Sequence, residues 1–427
     1  MRAANAKGTG RWVVRTGGAL LAAASLAWAA PAPAATEGVV CTDGVLDATT
    51  GTRTFNLATA TGYVVLPDGN TAFMWGYAPA GGAFQHPGPV LCANQGETVV
   101  VVLNNGGLPE AASIAFPGQE GVLANGAPAQ PQFDGGGALT SLVPAAAPGG
   151  GVTYSFVAAR PGTFVYESGT APWKQVRMGL FGALVVRPAL GAGYAYDRTD
   201  SQYVPAEEFM VLLSEIDPYQ HDAAQRNKPF NLTTYHPRYW FVNGRGFPDS
   251  IADNGATWLP TQPYGALARI QPKPPGTLPG LIRYLNVGTE DFPFHPHGNN
   301  GLVIGRDGHP VAGPAGEDLS FEKFAINIGP GQTWDVVFRW YDAEAYTPDN
   351  FPVTVPSLAN VTLGMFYGGT PFLGVPAVLP PGVSTLNQCG EYWIISHNHA
   401  LYQITSWGVN MTGPITYLRI DPPGGCP

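Results

Sequence analysis

The feature that most constrains this chain is a rhythm. Short runs of β-branched and aromatic residues recur along it, each closed by glycine, proline or a small polar residue. Val99–Leu103, inside ETVVVVLNN, is the clearest: four valines and a leucine between polar turn residues. Such a run reads as a buried strand. Similar runs stand at 153–158, 163–166, 182–186, 209–214, 281–287, 324–328, 336–338 and 392–396. No long segment carries a sustained helical period with caps at its ends. With 56 Gly and 42 Pro in 427 residues the turns are abundant, and a hydrophobic share of 45% supplies sizeable cores, so the glycine and proline do not signal disorder. The expectation is an all-β chain of sandwiches or barrels.

The two halves repeat an outline. Each has a strand ending in a polar turn (VVVVLNN; LIRYLNVG) and a later Pro-Gly turn that opens a strand (ARPGTFVY; GPGQTWDVVF). The pattern predicts one sandwich at about 38–190 and a second at about 205–425, joined by residues 189–205. Residues 341–387, rich in Pro and Gly, are too long for a structureless loop and read as an insertion in the second sandwich.

Charge and termini narrow the setting. Charged residues are only 12% and the net charge is −9, with no cluster of Lys or Arg, so no nucleic-acid partner is expected. Arg2, Lys7, Arg11 and Arg15 precede a short apolar stretch from Gly17 to Trp28, and small-x-small sites follow at Ala27-Trp28-Ala29 and Ala32-Pro33-Ala34. Residues 1–34 therefore read as a signal peptide, too short in its apolar part to span a bilayer, and no other membrane span is expected. No Arg-Arg pair precedes the apolar run, and Val40 before Cys41 does not suit a lipoprotein site. A periplasmic or extracellular protein follows. There the four cysteines favour disulfides over thiol chemistry. Cys41 with Cys92 and Cys389 with Cys426 is the simplest of three pairings.

Histidine carries the sharpest chemical signal. Of eight, four form two His-x-His pairs, His295-Pro296-His297 and His397-Asn398-His399. On a strand, residues i and i+2 share a face, so each pair presents two imidazoles side by side. Two such strands as neighbours bring four nitrogens toward one point, a donor set suited to copper, zinc, nickel or iron.

Longer segments then carry a resemblance. SIAFPGQ resembles Ser-Ile-His-x-His-Gly; GTFVYESG resembles Gly-Thr-x-x-Tyr-His-Ser-His; FPFHPHGNN resembles His-Pro-x-His-x-His-Gly; WIISHNHALYQ resembles His-Cys-His-x-x-x-His. With PGPVLCANQGETVVVVLNN, MGLFGALVV and RYWFVNGRGFPD beside them in the same order, the chain resembles a two-domain multicopper oxidase over nearly its whole length after the leader. The resemblance implies two cupredoxin-like Greek-key β-sandwich domains. It implies copper as cofactor, and a homotrimer with the copper cluster shared between subunits.

Carried over position by position, the resemblance also implies loss. The first segment has Ala115 and Pro117 where the family has histidines, and the second has Glu167 and Gly169. The blue, type 1 copper positions hold Phe292, Asn398 and Gln403, and the axial position falls near Gly408. A blue centre needs a thiolate and two imidazoles. Only His295, His297, His397 and His399 keep family ligand positions, those facing the trinuclear cluster. Two expectations follow. One is a metal-binding protein holding one or two ions, copper foremost and zinc as the other choice, on those four histidines, with oxidase activity impaired or absent. The other is a copper-free scaffold that meets a protein partner through residues 341–387. Trp173-Lys174-Gln175 with Arg177 read as a cavity wall or a surface loop, and Asp217, Tyr219 and His221 as a solvated loop, with a second metal patch as the other choice.

Overall fold

A computed structural model of the protein describes residues 37–297, 300–340, 392–408 and 411–421. The leader at 1–34, the insertion at 341–387, Cys389 and Cys426 lie outside the described residues. The described residues belong to one compact unit.

Two β-sandwiches follow one another in sequence. In the first, a four-stranded sheet has the order β1 (Cys41–Thr42), β5 (Val90–Asn94), β9 (Phe181–Arg187), β8 (Gly162–Glu167). The facing sheet runs β2 (Val45–Asp47), β3 (Thr52–Val65), β6 (Thr98–Asn104), β7 (Gly151–Val157) and continues into two short strands, with β4 (Thr71–Pro79) also paired to β3. The alternation of β6 explains its place: Val99, Val101 and Leu103 are fully buried, while Thr98, Val100 and Val102 are half-buried. Phe55, Leu57, Trp75, Tyr77, Tyr154 and Phe164 fill the space between the sheets. The Cys41–Cys92 disulfide pins β1 to this sheet across 51 residues of sequence, as expected. Cross-links of this kind are worth about 2–4 kcal/mol through the freedom they remove from the unfolded chain.

In the second sandwich one sheet runs β11 (Tyr239–Val242), β10 (Glu208–Ile216), β13 (Gly280–Asn286), β17 (Thr333–Phe338), β15 (Gly301–Arg306). The other runs β12 (Ala268–Ile270), β19 (Ile415–Ile420), β18 (Tyr392–Asn398), β14 (Phe292–Pro296), β16 (Ile326–Ile328). Phe292, Phe294, Tyr284, Trp334, Val336 and Leu418 lie in its core. Each expected strand run overlaps an observed strand, though Phe324 and Ala325 lie in the bend before β16. None of the described helices is long and apolar enough to cross a membrane.

The sandwiches meet through a buried polar seam. Arg283 from β13, fully buried, lies against Glu208 (2.6 Å), Asp335 (3.3 Å) and the Thr163 hydroxyl (2.8 Å). Arg187 of the first sandwich pairs with the same Glu208, and Tyr196 donates to Asp335 at 2.6 Å. The connecting stretch is no loose tether, because Ala195, Tyr196 and Tyr203 pack on Leu281 and Val337.

Candidate functional site

The histidine pairs occupy neighbouring rungs. β14 and β18 run antiparallel, with His295 opposite His397, Phe294 opposite Asn398 and Pro296 opposite Ser396. Because side chains alternate across a strand, Phe292, Phe294 and Asn398 turn into the sandwich and are fully buried. His295 and His397 turn outward and are half-buried; His297 and His399, just past the strand ends, are exposed. Backbone bonds extend the ladder past both strands: His297 N–H to Ile395 O (2.9 Å) and His399 N–H to Pro293 O (2.7 Å).

The four rings gather on this outer face. Ring centroids are 4.6 Å apart for His295–His297, 4.9 Å for His297–His397, 5.5 Å for His397–His399, 5.6 Å for His295–His399 and 5.9 Å for His295–His397. Two rings are oriented by backbone. Nδ1 of His295 meets Phe324 O, and Nδ1 of His397 meets Asn398 O at 2.7 Å. A carbonyl only accepts, so each Nδ1 carries the proton and each Nε2 keeps its lone pair. Carbonyl partners of this type fix the tautomer of metal-binding histidines. His297 Nε2 lies 2.9 Å from His397 Nε2 and is the donor of that pair, since the latter has only a lone pair to offer. Burial holds the pKa of His297 below its ordinary value, helped by His397, His295 and His399. Burial lowers His397 too, against the bond to Asn398 O, with His399 and His295 adding to the fall. The rings approach one another without closing on a point: among the described residues no three His, Cys, Asp or Glu side chains are posed as a finished ion site.

The inner face of β18 is chemically different. The Asn398 amide donates to Gln403 Oε1, and Gln403 donates on to Glu290 Oε2 at 2.7 Å. Trp240 Nε1 donates to the same Glu290 oxygen at 2.8 Å. Asn398 and Gln403 are both fully buried, with the apolar Phe292 beside the strand. Sequence reasoning missed Glu290 and Trp240. Their only signal was a carboxylate close before the first His-x-His, which nothing tied to Gln403.

The first-sandwich positions sit elsewhere in the chain. Ala115 and Glu167 face each other as a β-bridge, with backbone bonds of 2.7 and 3.1 Å. Burial raises the pKa of Glu167. Pro117 lines a cleft with Asp307 and Thr333, and Gly169 abuts Leu142 and Val143. Among the described residues no hydrogen bond or ion pair joins these four positions to the histidines.

Two sequence readings need correction. Asp217, Tyr219 and His221 are not a solvated loop. Asp217 caps a helix, Pro218–Gln225, by accepting from Tyr219 N–H, and His221 is buried with Nδ1 2.6 Å from Phe73 O. Burial pushes the His221 pKa down to about 4. Nor do Trp173, Lys174, Gln175 and Arg177 gather on one cavity wall. Lys174 and Gln175 bond to Glu110, at 2.6 and 2.8 Å, and Arg177 stacks over Tyr235 at 3.7 Å. His86 is fully buried, and burial pushes its pKa down to about 3, with His221 adding to the fall. Its ring sits beside Gly179, where a Cβ would come within 2.4 Å of Trp75 O, so only glycine fits the turn at φ +114°.

Comparison with known proteins supplies the remaining findings. A family model described as multicopper oxidase matches residues 65–190. The chain is 27% identical to laccase-24 of Oryza sativa subsp. japonica over 69% of its own length and 48% of that protein. It is 32% identical to L-ascorbate oxidase of Cucurbita maxima over 39% of its length and 27% of that protein. It thus spans about half, or less, of these curated relatives. Among solved structures, the multicopper oxidase mgLAC superposes with TM-score 0.58 at 18% identity, covering 86% of each chain. The blue copper oxidase from Nitrosomonas europaea gives TM-score 0.57 at 17% identity, covering 87% of this chain and 86% of that one. At these identities the superpositions speak for the cupredoxin-like fold alone.

Proposed function

We propose that the chain is a member of the multicopper oxidase family, whose model matches residues 65–190, and that it binds a single transition-metal ion, copper foremost, through His295, His297, His397 and His399, without a blue-copper centre. The observation that carries this reading is the gathering of four imidazoles on adjacent rungs, two of them fixed by backbone carbonyls with Nε2 unprotonated. Closing the site takes rotation of His297 and His397 out of their mutual hydrogen bond. Once bound, the ion supplies redox or Lewis-acid chemistry, and four imidazoles saturate it, leaving no open position unless one ring stays off.

A type 1 ion does not fit the other face. Its positions hold a phenylalanine and two amides already bonded to each other, with no thiolate. Blue-copper oxidase activity of the laccase type is therefore impaired or absent in this reading. The family resemblance favours a homotrimer, in which a neighbour's Ala115, Pro117, Glu167 and Gly169 would face the histidines. Export through the 1–34 leader agrees with the Cys41–Cys92 disulfide, a bond kept in oxidising compartments.

Calorimetric titration of the wild type and a His397→Ala, His399→Ala double variant with Cu(II) and Zn(II) is the test. Stoichiometric binding lost in the double variant supports the site. Equal binding in both leaves the copper-free scaffold, meeting a partner through residues 341–387, as the surviving account. An intense thiolate-to-copper absorption band in the wild type would refute the placement of Asn398.

A further inference from the structure

A cleft of about 260 Å³ that includes none of the four histidines opens between the sandwiches. Pro67 and Asp68 line it from the first sandwich; Tyr219, Arg238, Tyr239 and Trp407 line it from the second. Its aromatic walls are uncovered: Tyr219 is 67% exposed and Trp407 48%. Trp407 is nonetheless held in place. Its ring stacks on Tyr402 at 4.8 Å, and its indole N–H donates to Pro237 O at 2.9 Å. Ser406 and Trp407 take φ of +42° and +63°, left-handed conformations that non-glycine residues adopt at a cost of about 1–3 kcal/mol each. The fold sustains that strain to aim an indole into the cleft.

The polar groups decide what kind of molecule fits. Asp68 has most of its acceptor capacity spent: Oδ1 takes Asn70 N–H at 3.0 Å, and Oδ2 takes the Asn70 amide at 2.9 Å and the Tyr239 hydroxyl at 2.7 Å. Burial works against its ionisation, but those bonds outweigh it, so its pKa is lowered and it stays charged. Thr412 donates to Ser406 Oγ at 2.8 Å, which leaves the Ser406 proton free to donate outward. The Arg238 guanidinium is exposed and bonds to no other described residue. The capacity left over is therefore one cation and hydroxyl donors, set beside an aromatic wall. Such a set selects an anion with a flat apolar body.

We propose that this cleft binds a small aromatic carboxylate, its ring against Trp407 and Tyr219 and its carboxylate on Arg238. The volume holds one or two fused rings. The inference is independent of the metal reading, and the experiment keeps the two apart by using chelator-treated full chain.

Calorimetric titration with three probes resolves the contributions: benzoate has ring and charge, benzamide ring alone, acetate charge alone. Benzoate binds one per chain in the wild type, with benzamide and acetate each at least about tenfold weaker. Arg238→Gln weakens benzoate about tenfold, Arg238→Lys recovers part of that, and Tyr219→Ala weakens it a few-fold. Both side chains are exposed, so the variants keep the wild-type melting temperature. The His397→Ala, His399→Ala variant binds benzoate as the wild type does. Benzoate binding no tighter than acetate, Arg238→Gln binding equal to wild type, or no saturable benzoate binding at all would overturn the proposal.

Discussion

The strand Tyr392–Asn398 carries opposite chemistries on its two sides. Outward, His397 donates its Nδ1 proton to a backbone carbonyl and turns its Nε2 lone pair only toward the exposed ring of His297, beside two further imidazoles. Inward, Asn398 is bonded to Gln403 and through it to Glu290, so its amide group is tied into the core. The same backbone thus presents one face whose imidazoles meet chiefly one another and one shut inside the core, where Asn398 spends its donor and keeps a buried Oδ1 without a hydrogen-bond partner. A half-exposed imidazole whose lone pair meets only a surface ring can turn it to a ligand from outside. A side chain whose donor is spent on a buried neighbour stabilises the fold and recruits nothing.

Four experiments test that contrast. The largest effect is expected on the outer face. His397→Ala should lower Cu(II) affinity by more than the roughly 100-fold that loss of a merely supporting partner costs, with little change in melting temperature. On the inner face the signs reverse. Glu290→Ala strands the Trp240 N–H and the Gln403 amide, and at about 1–3 kcal/mol for each orphaned group it should cost on the order of 3 kcal/mol. Urea unfolding measures that loss, while metal titration should be unchanged. Equal metal loss in both variants would erase the distinction between the faces.

A third, smaller effect concerns pH. His86 and His221 are buried with their pKa values pushed down to about 3 and about 4, so the unfolded chain takes up protons there before the folded one does. Their contribution to stability is fully present above the unfolded value near 6.5 and is lost as pH falls toward those folded values. Glu215, whose pKa burial pushes up to about 7, works the other way as pH rises from its ordinary range toward neutrality. Arg177 and Asp217 also act on these groups, Arg177 on Glu215 and both on His221. His86 and His221 thus favour the folded state less as pH falls from about 6 to 5, with Glu215 acting against them. A His86→Gln, His221→Gln variant should flatten that slope in urea melts; a slope as steep as wild type would sink the assignment. The smallest effect is the control. His309→Ala should leave Cu(II) affinity unchanged within error in the same calorimetric titration, because His309 contacts Arg160 and not the histidine face.

Period-two reasoning placed His295, His297, His397 and His399 on one face, because alternation along a strand is a local property. It also read Asn398 as facing the other way. What it could not supply was the partner of that inward residue, since Glu290 reaches Gln403 across 113 residues of sequence. The burial of His221 is likewise set at a distance, by Phe73 O, and that of His86 by a chain crossing in which its N–H meets Thr261 O. The long strand Thr52–Val65 escapes sequence reading because Thr, Ala and Gly make up much of it, and its buried apolar rungs, Phe55, Leu57 and Val64, are few. Small side chains suit a strand that packs closely on both neighbours, but they leave no hydrophobic run to read.

The seam of Arg283, Glu208, Asp335, Arg187 and Thr163 bears on how this molecule can be taken apart. Severing the chain between residues 190 and 205 would leave the second half with a buried guanidinium missing the Thr163 hydroxyl, and the first with Arg187 stripped of its carboxylate. Each fragment would have to rehydrate a charge from a dry surface. Neither sandwich is thus a free-standing module, and denaturation should take both in a single cooperative step.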